Sequence, residues 1–216
     1  MLALGASASL AAAALAAPGD PKHAFKPADQ AYARTVLLLK ADLPGKGWHG
    51  KPTDFGQTNP PCLVAHYSLS ALTATAEQGT TYTRAVDTGT FLVESDAHVF
   101  VTPAQASTAS AIFSKLGFAR CLASSLVAEV PSGSFATSTV QHVSLTGLAT
   151  PASELKIVLH IISAKTKSTL TATVIGLRRG RTFVDLSVLT AGSGWSQSVL
   201  RSAAAKVATR IASRPA

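Results

Sequence analysis

Regularly spaced apolar residues divide the chain into helices and strands. Apolar side chains at helical spacing predict a first helix over about 28–42. Over 90–101 the pattern changes to strict alternation, which is typical of a strand. Apolar side chains occupy one face of that strand, and Glu94, Asp96 and His98 share the other. The alternation therefore predicts a half-buried strand that turns these three polar side chains towards solvent.

The rest of the chain continues this mixed pattern. Two short strands are expected at about 70–76 and 80–84, and helices follow between 102 and 128. Further strands are expected at about 138–147, 155–164, 168–177 and 181–190. A last helix is predicted from an apolar residue at every fourth position: Trp195, Val199, Ala203, Val207 and Ile211. Strands grouped in hairpins and separated from the helices indicate an α+β fold with an antiparallel sheet packed by helices on one side.

The N-terminus has the features of an export signal. The first 16 residues carry no charge, and an apolar run ends in Ala14-Leu15-Ala16, the small-residue pattern of a cleavage site. The run is too short to span a bilayer as a stable helix. We therefore expect a signal peptide at 1–16, a flexible leader at 17–27, and one domain at 28–214 that is secreted and extracytoplasmic. The alternative is an Ala-rich first helix of the mature fold.

The chain contains two cysteines, Cys62 and Cys121. In an exported protein an even pair of cysteines predicts a disulfide. The pair lacks the C-x-x-C spacing of a redox motif, and no histidine lies beside it at zinc-ligand spacing. We expect the disulfide to anchor the far end of the segment 44–61, which is rich in glycine and proline.

The charge is unevenly distributed. The net charge is +8, and residues 150–216 carry ten basic residues against only Glu154 and Asp185. Arg178, Arg179 and Arg181 lie at a predicted hairpin turn and are candidates for contact with an anion. A solubilising device at a strand edge explains the same residues. Nucleic acid is not an expected partner, because no aromatic residues are interleaved with the arginines to stack on bases.

Motifs for catalysis and cofactor binding are absent or out of context. The segment 45–50 matches G-x-G-x-x-G, but a helix precedes it and a proline follows, so it cannot bind a dinucleotide in the usual way. Glu94, Asp96 and His98 are spaced too far apart along a strand to converge well on one metal ion. No nucleophile or zinc-protease motif occurs in the sequence. We expect no metal, no cofactor and no enzyme activity.

Several segments together resemble a known family, the extracytoplasmic sensor domains of mycobacterial H-type receptor serine/threonine kinases and related stand-alone actinobacterial secreted proteins and lipoproteins. The matching segments are LLLKADLPGKGW at 37–48, Cys62 after two prolines, TYTR at 81–84, RCL at 120–122, and LRRGRTFVDLSV at 177–188 leading into 203–214. The resemblance implies an α+β domain with a largely apolar cleft for a ligand. The kinase domain carries two cysteine pairs where this chain has one, and no catalytic residues are carried over.

The resemblance and the charge pattern lead to two functional hypotheses. The first is a secreted, sensor-like binding module of the cell envelope that holds an apolar or amphiphilic small molecule in a cleft. The alternative is a non-enzymatic docking protein that binds anionic envelope polymer or lipid through its basic C-terminal third.

Overall fold

Eight strands form one mixed sheet in the computed structural model, which describes residues 19–53, 55, 60–86, 89–130, 132, 134–163, 167–191 and 195–213. The strands are β1 Lys22–His23, β2 His49–Pro52, β3 Thr73–Val86, β4 Gly89–Phe100, β5 Phe135–Ser144, β6 Ala152–Ile162, β7 Lys167–Arg179 and β8 Thr182–Ala191. The helices are α1 Pro27–Val36, α2 Pro61–His66, α3 Pro103–Phe113, α4 Leu116–Ala128 and α5 Gln197–Ser213, with a short 3-10 turn at Lys40–Asp42. The signal peptide expected at 1–16 lies outside the described residues.

The strand order across the sheet is β1-β3-β4-β8-β7-β6-β5, and β2 also pairs with β3. Every pairing is antiparallel except that of β1 with β3, which is parallel. The predicted α+β class is confirmed. The four predicted C-terminal strands are also confirmed, each within a few residues, and Gly180 makes the tight turn between the last two with φ of 54°.

Helices cover both faces of the sheet, whereas the sequence predicted helices on one face only. Helices α2, α3 and α4 pack on what we call the disulfide face, because the Cys62–Cys121 bond joins α2 to α4. Helices α1 and α5 pack on the opposite side, the α5 face. The physical reason is visible in β8, where all residues of 182–190 are buried. A strand buried on both sides needs cover on both sides, and the alternation of Asp185 and Ser187 with apolar residues along β8 conceals that requirement.

The predicted disulfide is confirmed, with a Cα–Cα distance of 6.0 Å between Cys62 and Cys121. The predicted last helix is confirmed with Ala203, Val207 and Ile211 buried, but it begins at Gln197, after Trp195, and Val199 is only half-buried. The residues of α5 that meet the sheet are Leu200, Ala203, Ala204, Val207, Ala208 and Ile211.

Three local expectations need correction. The first helix ends at Val36 instead of continuing to 42, because the chain becomes extended at Leu37 and the backbone N–H of Leu38 donates to Ser95 on β4. The expected turn at 77–79 does not form, and β3 runs through it as one strand. The described part of the leader 17–27 is tied down, because its backbone N–H groups donate to carbonyls along the start of β3.

Among the described residues no single helix is long and apolar enough to cross a membrane. Helices α3 and α4 pass that test only as a pair, and they are bent by 55° at the break between them.

Candidate functional site

A groove lies between the N-terminal half of α5 and the segment that connects β5 to β6. Its volume is about 490 Å³. The residues that line it are Gly147, Leu148, Gln197, Ser198, Arg201, Ser202 and Ala205. Most of the lining surface is apolar, and the groove is open to solvent on one side.

The sequence creates this groove through the way α5 docks. The buried stripe of the helix presses onto the sheet and leaves the flank that carries Arg201 and Ala205 facing the connecting segment. That segment is held by the buried side chain of Leu145 and then turns at Gly147, whose φ is 78°. A glycine takes up this left-handed conformation readily. A Cβ added at this position would have no atom of another part of the chain within 4 Å. Leu148 follows the turn and supplies an apolar wall.

Two polar side chains give the groove its chemistry. Gln197 donates a hydrogen bond to the buried carboxylate of Glu154, at 2.7 Å between Nε2 and Oε2. Arg201 is exposed at the rim and forms no ion pair with any carboxylate that the structure describes. A guanidinium group beside an apolar wall suits a ligand that is apolar along its length and anionic at one end.

The three arginines predicted as anion contacts lie at the β7–β8 turn, but they do not share one environment. Arg178 and Arg179 are neighbours on β7, so their side chains lie on opposite faces of the sheet. Arg181 is bound to Asp29 of α1, with 3.1 Å between Nη2 and Oδ1. It also donates to the carbonyl oxygen of Phe100. Only Arg178 and Arg179 therefore remain available at the tip as anion contacts.

The loop that matched G-x-G-x-x-G has a structural role in this fold. A strand, β2, and not a helix follows it, which agrees with the expectation that it binds no dinucleotide. The Arg84 guanidinium lies between the rings of Trp48 and Phe91, at 4.8 and 5.2 Å from their centres. It also donates to the carbonyl oxygen of Pro44 at 2.7 Å. The segments 37–48 and 81–84 thus meet in one packing contact.

A second polar site is buried under the disulfide face. We call it the carboxyl cluster: Glu77 on β3, Glu94, Asp96 and His98 on β4, and Asp185 on β8. Strand register places them side by side, because Asp96 lies opposite Asp185 and Glu77 lies opposite His98. Each of the five is at most 7% exposed. Thr53 and Phe55 lie against the cluster from outside, Thr53 at Thr81 and Phe55 at the His98 ring.

The outward orientation that the sequence predicted for Glu94, Asp96 and His98 is wrong. Alternation places them correctly on one face of β4, but it cannot show that this face is covered. The covering comes from helices and from Thr53 and Phe55, which are distant in sequence. Glycines contribute to the fit, since a Cβ added at Gly79 would lie 2.0 Å from Oδ1 of Asp96.

Few hydrogen bonds satisfy the cluster. Thr81 donates to Glu94 at 2.8 Å, but the second oxygen of Glu94 and both oxygens of Asp96 and Asp185 have no well-formed partner in the described part of the chain. His98 lies 3.4 Å from Glu77 and 3.9 Å from Asp185. The exposed ring of His23 lies 3.1 Å from the other oxygen of Glu77.

Burial dominates the ionisation of these groups. It raises the pKa of Glu77 and of Glu94 to about 7, and it lowers the pKa of His98 to about 4. Burial also raises the pKa of Asp96 and Asp185 well above the ordinary value, and neighbouring carboxylates add to the effect. At neutral pH Glu77 and Glu94 are therefore close to half-protonated, and His98 is a neutral imidazole.

The cluster is not arranged to ligate a metal: no three histidine, cysteine or acidic side chains in the described ranges are placed to hold an ion. Its carboxyl groups are also closed to solvent, so a substrate could not reach them.

Comparisons with known proteins give structural likenesses but no sequence match. No family model and no curated protein matches the sequence. The structure is similar to the crystal structure of the extracellular domain of PknH from Mycobacterium tuberculosis, with a TM-score of 0.48 and 13% sequence identity. The match covers 88% of this chain and 100% of that chain. The resemblance seen in the sequence is confirmed to this extent, and no residue role is transferred with it.

Proposed function

We propose that this protein is an exported binding module that holds an amphiphilic ligand with an anionic end in the groove beside α5. The observation that carries the proposal is the combination of a mainly apolar wall with the unpaired guanidinium group of Arg201 at its rim. The ligand would lay its apolar part along Leu148 and Ala205 and direct its anionic group to Arg201.

A binding role is favoured over catalysis by where the acidic groups lie. The polar groups of the groove are one arginine, one glutamine and the hydroxyl groups of Ser198 and Ser202, and Gln197 already donates to Glu154. The carboxyl groups with raised pKa lie under the opposite face of the sheet and are closed to solvent. General acid–base catalysis requires such a group within hydrogen-bond reach of the substrate.

Export is supported by two features. The apolar N-terminal run followed by a small-residue site is typical of a secretory signal. The Cys62–Cys121 disulfide would persist in an oxidising compartment and is uncommon in the cytosol.

Ligand titration tests the proposal. We expect dodecanoate, a single-chain anionic amphiphile, to bind the purified protein, as measured by calorimetry. Arg201→Gln should weaken binding by about tenfold, which corresponds to one charge-assisted contact of about 1.4 kcal/mol. Ala205→Phe should block the groove without removing charge.

Arg120→Gln is the matched control, because it removes an exposed arginine of α4, on the opposite face of the sheet from the groove, and should leave binding unchanged. Equal affinity of Arg201→Gln and the parent protein would contradict the groove assignment. Binding of dodecyl alcohol as tight as that of dodecanoate would contradict the anionic end.

A second candidate function is docking to an anionic envelope surface through the β7–β8 turn. It is favoured by the two arginines left available there, Arg178 and Arg179. Two basic residues near an anionic surface contribute about 2 kcal/mol in total, and salt weakens the attraction. We expect weak association with phosphatidylglycerol vesicles at low salt, which the double variant Arg178→Ser, Arg179→Ser removes. No association of the parent protein at low salt would eliminate this candidate.

A further inference from the structure

We propose that the carboxyl cluster is a proton-binding site that takes up protons as one unit, so that mild acid stabilises the domain. This property is separate from ligand binding in the groove, because the two sites lie on opposite faces of the sheet.

The geometry of Asp96 and Asp185 is the first argument. The two residues are direct partners across β4 and β8, and side chains in such a pair lie within about 5 Å of each other at Cβ. Like charges in directly opposed positions are destabilising, all the more so where water is excluded. Both side chains are 1% exposed, so solvent cannot screen them. A proton on at least one of the two removes the repulsion.

Unsatisfied polar atoms supply the second, independent argument. The hydroxyl of Ser187 is fully buried and has no hydrogen-bond partner in the described part of the chain. Ser187 lies opposite Glu94 and two positions from Asp185, so it shares their face of the sheet. The Nδ1 atom of His98 is buried and unsatisfied as well. Both oxygens of Asp96 and of Asp185 also lack a well-formed hydrogen-bond donor in the described residues, and an ionised carboxylate can only accept. A protonated carboxyl group needs fewer donors and can itself donate to a neighbouring oxygen or to the His98 ring.

Few charges from neighbouring elements offset the cluster. Lys51 on β2 acts on Glu94 and favours its ionised form, whereas Asp20 acts on Glu77 and opposes it. The ring of His23 on β1 contacts Glu77. Arg178 on β7 lies opposite Phe183 of β8, so its side chain is on the same face of the sheet as the cluster. Helix α3, which packs over β4, β7 and β8, contains no charged residue. No Lys or Arg in the described ranges forms an ion pair with the cluster.

The direction of the effect follows from proton counting. The folded state holds protons on Glu77 and Glu94 up to about pH 7. It also raises the pKa of Asp96 and Asp185 well above the ordinary value, whereas in the unfolded chain all these acids ionise near pH 4. Between those values the folded state binds more protons, so stability rises as pH falls from about 7 towards 4. His98 acts in the opposite sense, because its unfolded form gains a proton near pH 6.5 while its folded form does not. Because four carboxyl groups outweigh one imidazole, the net effect of mild acid is to stabilise the folded state.

Thermal unfolding at constant ionic strength tests the proposal. We expect Tm to rise by about 5 °C or more between pH 8 and pH 5. Asp185→Asn is nearly isosteric and removes a titrating group, so its Tm should exceed that of the parent protein at pH 8 and depend less on pH. Glu129→Gln, at an exposed position at the end of α4, is the matched control and should retain the parent profile.

A constant or falling Tm between pH 8 and pH 5 would overturn the proposal, as would an Asp185→Asn variant with the parent pH dependence. If the variant does not fold, side-chain carboxyl carbon NMR of the parent protein decides the matter. The proposal requires at least two carboxyl groups that titrate near pH 7 or above, and finding none would overturn it.

Discussion

Two acidic side chains on the α5 face have cation partners, whereas the acids of the carboxyl cluster have none among the described residues. A third acid of the α5 face, Glu154, is fully buried and accepts a hydrogen bond from Gln197. On the α5 face, Asp29 and Asp42 lie beside cations from distant parts of the chain. Asp29 accepts two hydrogen bonds from Arg181, and Asp42 lies 2.7 Å from a guanidinium nitrogen of Arg210. On the disulfide face, the carboxyl cluster has only histidines, hydroxyl groups and other acids around it.

The difference shows that position on one sheet does not decide how a carboxyl group ionises; its partner does. The Arg181 guanidinium lowers the pKa of Asp29, so that group stabilises the fold at neutral pH and loses its contribution as pH falls through its folded pKa. The cluster contributes in the opposite direction over the range 7 to 4. The protein therefore contains acid-sensitive and acid-stabilised carboxyl groups in the same domain.

The largest expected effect comes from placing an unpaired carboxylate on the α5 face. Ile211 is fully buried where α5 meets the sheet. Ile211→Asp should cost about 5 kcal/mol, because it removes apolar contacts and buries a charge without a partner. Chemical denaturation measures the loss. Thr209→Asp, exposed on the same helix, should cost less than about 1 kcal/mol. Equal losses for the two variants would mean that α5 does not dock as described.

The next largest effect concerns the covalent link on the disulfide face. The bond closes a loop of 59 residues between Cys62 and Cys121. Replacing both cysteines by serine should cost about 4 kcal/mol in the chain-entropy model. The measurement is the free energy of unfolding of the double variant, with the reduced parent protein as its control. A loss below about 1 kcal/mol would show that α2 and α4 stay in place without the bond.

A smaller effect separates the arginines of the β7–β8 turn. Arg181→Gln breaks the pair with Asp29 and should cost about 1 kcal/mol at pH 7. Arg179→Gln removes an exposed arginine and should cost a few tenths of a kcal/mol at most. The difference between the two variants should shrink at low pH, where Asp29 is protonated. Equal losses for the two variants at pH 7 would contradict the Asp29 pairing.

Local periodicity was sufficient to predict much of the fold. The alternation of the C-terminal third predicted β5 to β8, and the apolar residues four apart predicted α5 together with Ile211 as a docking residue. The cysteine pair predicted the disulfide, because two cysteines in an exported protein have few other roles. These inferences succeed because each depends on residues close in sequence or on covalent chemistry.

The sites could not be predicted in the same way, because they depend on contacts between distant segments. Asp29 and Arg181 are 152 residues apart, so local patterns could not show that Arg181 pairs with an acid of its own chain. Asp96 is covered in part by Thr53, which is 43 residues away in sequence. Charge alternation on β4 was visible, but only the completed fold shows that water is excluded from both of its faces.

The most direct test compares one carboxyl group from each face at pH 8. Asp42→Asn removes a paired anion and should destabilise the protein by about 2 kcal/mol. Asp96→Asn removes an acid with no cation partner and should stabilise it by about 1 kcal/mol, a gain that disappears at pH 5. Opposite signs at pH 8, measured as free energies of unfolding, are the predicted result. A loss of stability in Asp96→Asn as large as that in Asp42→Asn would contradict the account of the carboxyl cluster.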